Sequence, residues 1–534
     1  MKKYIFILLT FMSAATSCDK FFQSEPQNFL HPDSYYTDQK SVEAGLMGVY
    51  QIMVSPFAYS YTTAATIYSG NALPILFTTS DLEYFCETGQ AYYASMFNFT
   101  PSEPYVISYW GGCYVGISRA NNFIWRIENT DIPDMTDEDK NAALGEAYFL
   151  RGFYYWHLAA NFGGVPLVTD GSAEITSHRE RAPLNKVYAQ IISDMTKAEG
   201  MVYEADAFTH SGRVTKTLVQ AMLARVCLYM AGNPLNDTSK YADALAWARK
   251  VRDSGLHSLD PDYSAVFKRL MNDQYETVYR ESMWEAEFKG VDGETPRTDG
   301  RWGSPNGVLC RDPKIGVTWA NLCVSKVLEN YYAEDTDDQR YTWNVCPYDW
   351  GTGTTGVKRD RSVEFRNVGK FRKDAVEGGS GETRTSTNFP IMRYSDVLLM
   401  LAEAANEIDG PTDEALAALN EVRARAGVKL CANNTTNGDT EVLTDDEKVI
   451  LSDKESFREF IKKERARELC FEATRRLDLV RWGHLVESVK YMSSISTVAK
   501  AKRPGNYISE KHNLLPIPAM ELNGNMLIEQ NPGW

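Results

Sequence analysis

The chain has 534 residues, of which 43% are apolar and 24% charged, and its formal net charge is −15. An acidic balance of that size leaves no basic field for phosphates and sets nucleic acid aside as a partner. The length suffices for several domains and a large buried core. With 30 Tyr and 11 Trp, aromatic surface has to be placed both inside that core and outside it.

Lys2 and Lys3 precede the apolar run Tyr4 to Met12, and small residues from Ser13 to Ser17 lead to Cys18. This is the layout of an export signal. The apolar run is shorter than the roughly 20 residues that cross a bilayer as a helix. Small residues directly before a cysteine resemble a bacterial lipoprotein box, with Ala15 where leucine is commonest. Residues 1–17 are therefore read as a cleaved lipoprotein signal, Cys18 as the lipidated residue and 18–38 as a lipidated tether, in preference to an ordinary signal with a chance cysteine.

Most of the chain beyond residue 38 reads as helix. Thr136 is placed as an N-cap before the acidic turn Asp137-Glu138-Asp139. The run to Asn161 carries apolar residues at helical spacing and stops at Gly163-Gly164. Leu218 to Ala231 puts Leu218, Met222, Val226 and Tyr229 on one stripe. YADALAWARKVRDSG then places Tyr241, Ala244, Leu245, Ala248 and Val251 on one face. The pair recurs at Val397–Ile408 and Glu414–Ala426, broken by Gly410-Pro411. Two helices joined by a short turn, with alanine where backbones approach, is the logic of a tetratricopeptide unit, although no strict period of 34 can be laid down. The expected fold class is all-α, with tetratricopeptide-like helix pairs forming a scaffold and long inserted loops. The longest insertion, from about Lys289 to Arg393, is rich in Gly, Thr, Trp, Tyr and Asp, and long ordered loops commonly carry function.

Trp110, Trp125, Trp156 and Trp247 lie in helical patterns and are read as core. Cys227 and Cys470 are read as buried small hydrophobes. Cys310, Cys323 and Cys346 share a loop-rich stretch in which one disulfide is allowed but not assignable. No zinc-protease, nucleophile-elbow, phosphate-loop or dinucleotide signature is present, and the seven histidines are dispersed. No cofactor and no metal site is expected. Glu334-Asp335-Thr336-Asp337-Asp338 lacks the glycine and spacing of a calcium loop and reads as a solvated acidic loop.

Four C-terminal stretches occur in order: RYSDVLLMLAEAANEI, ALNEVRARAG, ERARELCFEATRRLDLVRWG and LLPIPAMELNGNMLIEQNPGW. Together they resemble the SusD/RagB family of nutrient-binding outer-membrane lipoproteins, and LRGFYYWHLAANFGGVPLV resembles the matching N-terminal segment. The resemblance implies two regions, 39–270 and 271–534, folded as one unit. Within the third stretch, Arg465, Glu468, Glu472 and Arg476 fall three or four apart and are expected to form helix-face ion pairs in a structural network rather than a catalytic carboxylate pair.

A sugar site needs aromatic platforms for C–H faces and directed polar groups at the rim. Two segments have that composition. One contains Tyr68, Asn71, Asp81, Tyr84, Tyr92 and Tyr93. The resemblance makes it a contributor of loops to a glycan site. The other is the insertion, with Arg297, Trp302, Asn306, Trp319, Trp343, Tyr348 and Trp350. Tyr68, Asn71, Asp81, Tyr84, Trp302, Trp319, Tyr348 and Trp350 are carried forward as ligand-binding candidates. The resemblance implies a lipid-anchored protein of the outer membrane that captures an oligosaccharide without catalysis. It would deliver that cargo to a SusC-like TonB-dependent transporter. The alternatives are a peptide-capturing member of the same family and a helical scaffold serving mainly as the transporter's lid.

Overall fold

The computed structural model describes residues 35–54, 67–68, 76, 80–86, 90–171, 178–288, 300, 302–304, 306–353, 355–377, 385–433, 448–451 and 453–534. Cys18, the tether to residue 34, Asn71 and Arg297 lie outside the described residues. Among those described, helices dominate: α1 Gln39–Val54, α2 Pro104–Glu128, α3 Asp137–Phe162, α4 Leu184–Glu199, α5 Lys216–Ala231, α6 Lys240–Asp253 and α7 Tyr263–Met271 in the first half. The second half adds α8 Lys326–Ala333, α9 Tyr341–Asn344, α10 Tyr394–Asp409, α11 Asp413–Ala426, α12 Lys454–Leu469, α13 Arg475–Trp482, α14 Leu485–Ile495 and α15 Ala499–Tyr507.

Local chemistry explains the boundaries. At α3, the Thr136 hydroxyl accepts from the Asp139 amide, the acidic first turn complements the helix dipole, and Gly163 ends the helix at φ +78°. Thr412 caps α11 and a left-handed Gly427 ends it. Asp453 and Ser456 form a reciprocal cap on α12. Helices α3 and α5 are buried around most of their circumference, and α6 buries the stripe Ala244, Leu245, Ala248 and Val251. Consecutive helices pack as pairs, α2 on α3, α5 on α6 and α10 on α11, and α6 of the first half packs on α10 of the second. Gly116 permits the close approach of α2 to α3: a Cβ there would stand 2.5 Å from the Tyr154 ring. The architecture is the all-α scaffold of tetratricopeptide-like pairs.

The insertion contributes short antiparallel strand pairs. β1 Glu83–Phe85 pairs with β3 Leu322–Val324, β2 Ser282–Ala286 with β6 Phe389–Arg393, and β4 Tyr348–Asp349 with β5 Arg359–Asp360. Cys323 is bonded to Cys86, across the β1–β3 pair, and not to Cys310 or Cys346, which are free and buried. Sequence separation hid this pairing, because strand register and not chain proximity brings the two sulfurs together. Cys227 and Cys470 are buried as expected.

Two further expectations are corrected. Trp110 and Trp156 are core, but Trp247 is half-buried and Trp125 is 38% exposed on the outer side of α2. The acidic stretch 334–338 is not simply solvated. Glu334 pairs with Lys463 and Arg467, Asp335 with Arg423, and Asp338 is fully buried against Arg340.

Candidate functional site

The C-terminal motif builds a buried ionic lattice. α12 stops at Leu469, and Phe471 and Ala473 adopt left-handed φ before α13 begins. For Arg465, Glu468, Glu472 and Arg476 the expected pairs along one helix face are therefore replaced by contacts between elements, whereas Asp478 and Arg481, which continue the pattern, do pair along α13 at 2.9 Å. Glu468 accepts from Arg393 at 2.9 Å, Arg425 at 2.6 Å and Arg340 at 3.0 Å. Glu472 accepts from Arg393 and Lys370. Arg465 bridges Asp396 and Asp478, and Arg225 of α5 reaches Asp396 at 2.6 Å. Among the described residues Arg476 meets no carboxylate. It donates to the Asn161 side chain and the His512 carbonyl, and burial pulls it down to about 10.

Burial pushes the carboxylates of the lattice upward, but the surrounding guanidiniums win. Arg465 and Arg225 hold Asp396 down to about 2, and Arg340, Arg467 and Arg423 hold Glu464 at about 2. Glu468 is lowered further against the same burial by Arg425, Arg393 and Arg340. A buried carboxylate clamped ionised by three cations has no proton to donate and no open face toward a substrate. The lattice ties α5, α10, α12 and the insertion together.

The first candidate segment is drawn into this interior. Tyr68 is buried, stacks on Phe389 at 4.9 Å and hydrogen-bonds His157 Nε2 at 3.0 Å. His157 is pulled down to about 3 by burial and by Arg225, so it sits neutral between Tyr68 and Tyr109. Asp81 accepts both prongs of Arg475 at 2.8 Å. Tyr84 is buried and donates to the Glu364 carbonyl. These three side chains are buried and none stands on the surface platform that was expected of them. Tyr93 is exposed.

In the insertion the structure separates the tryptophans. Trp302 is 1% exposed, edge-on to Phe371 and Phe389, so its ring plugs the insertion onto the scaffold and is no platform. Asn306 is buried and accepts from the Gly303 amide at 2.6 Å. The turn residues around Trp302 read as surface in sequence, yet the insertion folds back over them. Trp319, Trp343, Tyr348 and Trp350 are half-buried. Trp350 donates its amide to Leu309, Cys310 bridges Thr318, and Trp319 follows, so Trp350 and Trp319 share one hydrogen-bonded strip.

The β4–β5 hairpin organises this surface. Tyr348 and Trp350 meet edge to face at 5.9 Å. The Tyr348 hydroxyl donates to Asp374 at 2.6 Å, and burial together with that carboxylate pushes the phenol well up. Asp349 is neutralised by Arg359 at 2.8 Å and Arg361 at 3.2 Å. Lys358 lies 3.6 Å from the Tyr348 ring centre and 5.8 Å from that of Trp350. Arg372 stacks at 4.4 Å over Trp343. Lys358 and Arg372 had no signal in the sequence, because only the hairpin register sets them against the rings. Among the described residues no group of three or more His, Cys, Asp or Glu could hold a metal ion, and no helix is long and apolar enough to cross a membrane.

Comparison with known proteins gives the frame for this geometry. A profile described as "SusD family" matches residues 278–534, and one described as "Starch-binding associating with outer membrane" matches 30–228. A SusD-like protein of Formosa agariphila is 24% identical over the whole of both chains. The starch-binding protein SusD of Bacteroides thetaiotaomicron is 24% identical over 78% of this chain and 76% of that one. The crystal structure of a SusD homolog from Bacteroides thetaiotaomicron superposes with a TM-score of 0.81 at 27% identity, covering 94% of this chain and 98% of that one. With matches spanning both halves of the scaffold, the chain belongs to the SusD family.

Proposed function

We propose that the protein captures an oligosaccharide on the β4–β5 face of the insertion, without catalysis, at the outer membrane. The observation that carries this reading is the half-buried Tyr348–Trp350 pair, a rigid amphipathic surface whose phenol is anchored by Asp374. Trp319 extends the same strip. Relatives described as starch-binding support a glycan as cargo. Residues 1–17 serve as a lipoprotein signal, Cys18 carries the lipid, and 18–38 tethers the body. Regions 39–270 and 271–534 act as one unit, a reading supported by the packing of α6 on α10 and the pairing of β2 with β6. The captured glycan passes to a SusC-like TonB-dependent transporter.

Residues 19–534, run through native gels containing polysaccharides, test the capture step. Retardation by a glycan that Tyr348→Ala or Trp350→Ala abolishes supports it. Retardation that survives both substitutions removes the site from this face, and product formation on prolonged incubation removes the non-catalytic reading. A second reading, the scaffold as an interaction protein, is favoured by one observation: Met520, Met526 and Leu527 stand out from the C-terminal segment, with Met526 82% exposed. Under that reading Met526→Asp weakens association with the transporter and leaves glycan retardation intact.

A further inference from the structure

The charge around the Tyr348–Trp350 pair is out of keeping with an acidic protein. Lys358, Arg359, Arg361 and Arg372 gather there against Asp349, Asp360 and Asp374. Asp349 is already shared by Arg359 and Arg361, whereas Asp374 keeps its charge beside the Tyr348 hydroxyl it accepts from, with the Arg372 guanidinium on that same hydroxyl. Asp360 is exposed and pairs across the hairpin with Tyr348 only through the backbone register. Arg372 is buried, and its hydrogen bonds run to neutral groups: the carbonyls of Gly369, Thr342 and Trp343 and the Tyr348 hydroxyl. Lys358 is exposed and forms no ion pair among the described residues. Its ammonium rests on the face of Tyr348.

A neutral sugar laid on Tyr348 would have to displace that ammonium and would offer it only hydroxyls. A sugar bearing a carboxylate or sulfate would give the ammonium a counter-charge at the rim of the ring while its C–H face takes the aromatic surface. We infer that the ligand of this face is an acidic oligosaccharide, its anionic group held by Lys358 beside Tyr348 and Trp350. The inference rests on the capture reading above. It adds the chemical class of the cargo and a specificity residue.

The test is calorimetric titration of residues 19–534 with oligogalacturonate, hyaluronan and chondroitin sulfate hexasaccharides beside maltohexaose, laminarihexaose and xylohexaose. At least one acidic probe is expected to bind more tightly than every neutral one. Lys358→Met is expected to weaken that binding about tenfold, equivalent to one charge-assisted contact of about 1.4 kcal/mol. Lys358→Arg is expected to restore most of it, and added salt to narrow the gap between wild type and Lys358→Met. Lys358 is exposed, so these variants fold. Preference for a neutral probe, or acidic binding indifferent to Lys358→Met, overturns the inference and leaves capture standing if Trp350→Ala still abolishes binding. Binding of no probe, or binding that survives both Tyr348→Ala and Trp350→Ala, overturns the capture reading and this inference with it.

Discussion

Glu468→Gln is the most informative change in the buried lattice. The side chain keeps its shape but loses its charge. Its carboxylate now accepts from Arg393, Arg425 and Arg340. In the best orientation the new carbonyl keeps the Arg393 and Arg425 end, and the new amide hydrogens face the Arg340 guanidinium. One charge-assisted bond is then lost, at about 1.5–3 kcal/mol, and the buried cations lose a counter-charge. Breaking one partner out of a buried ionic group costs about 3–5 kcal/mol in total. The assay is equilibrium urea denaturation with m unchanged, against Glu487→Gln as a surface control. Glu487 is exposed on α14, and its substitution is expected to stay within about 0.5 kcal/mol. Because the folded carboxyl is held well below its ordinary value, its contribution is complete above the unfolded value and is lost as pH falls through the folded one. The gap between wild type and variant should hold from pH 7 to about pH 5 and close below that. A loss under about 1 kcal/mol at pH 7 would show that the lattice is not a coupled unit and would refute the reasoning.

Below about pH 5 wild-type stability should fall as Asp396 and Glu464, both held at about 2, take up protons, each removing about 2–3 kcal/mol, on top of the loss that the neutral, buried His157 imposes as pH falls below about 6.5. A flat stability curve down to pH 3 would contradict these depressed values. Trp302→Ala should cost about 3–5 kcal/mol as a core truncation, seen as a lowered urea midpoint, whereas Trp350→Ala should cost under about 1.5 kcal/mol and act on binding. Reducing the Cys86–Cys323 bond should destabilise by about 2–5 kcal/mol, since it closes a segment of 237 residues, and Cys86→Ser should reproduce that loss in the absence of reductant. An imidazole held neutral by burial predicts that the His157 NMR signals do not titrate between pH 8 and 5, and a midpoint near 6.5 would place the ring in water.

The helical scaffold was legible in the chain because its information is local. The cap at Thr136, the stop at Gly163 and the apolar stripes on α5 and α6 are read within a few residues of where they act. The ordered C-terminal motifs carried the family for the same reason. Tertiary structure alone decided the fate of each aromatic and charge in the long insertion. Trp302 and Trp350 lie in equally glycine-rich stretches, yet strand pairing and chain reversal bury the first against Phe371 and Phe389 and leave the second at a half-open surface. The partners of Glu468 come from Arg340, Arg393 and Arg425, and Cys86 meets Cys323 only across β1 and β3. Such pairings are set by loop closure and register over tens to hundreds of residues, and no local pattern records them.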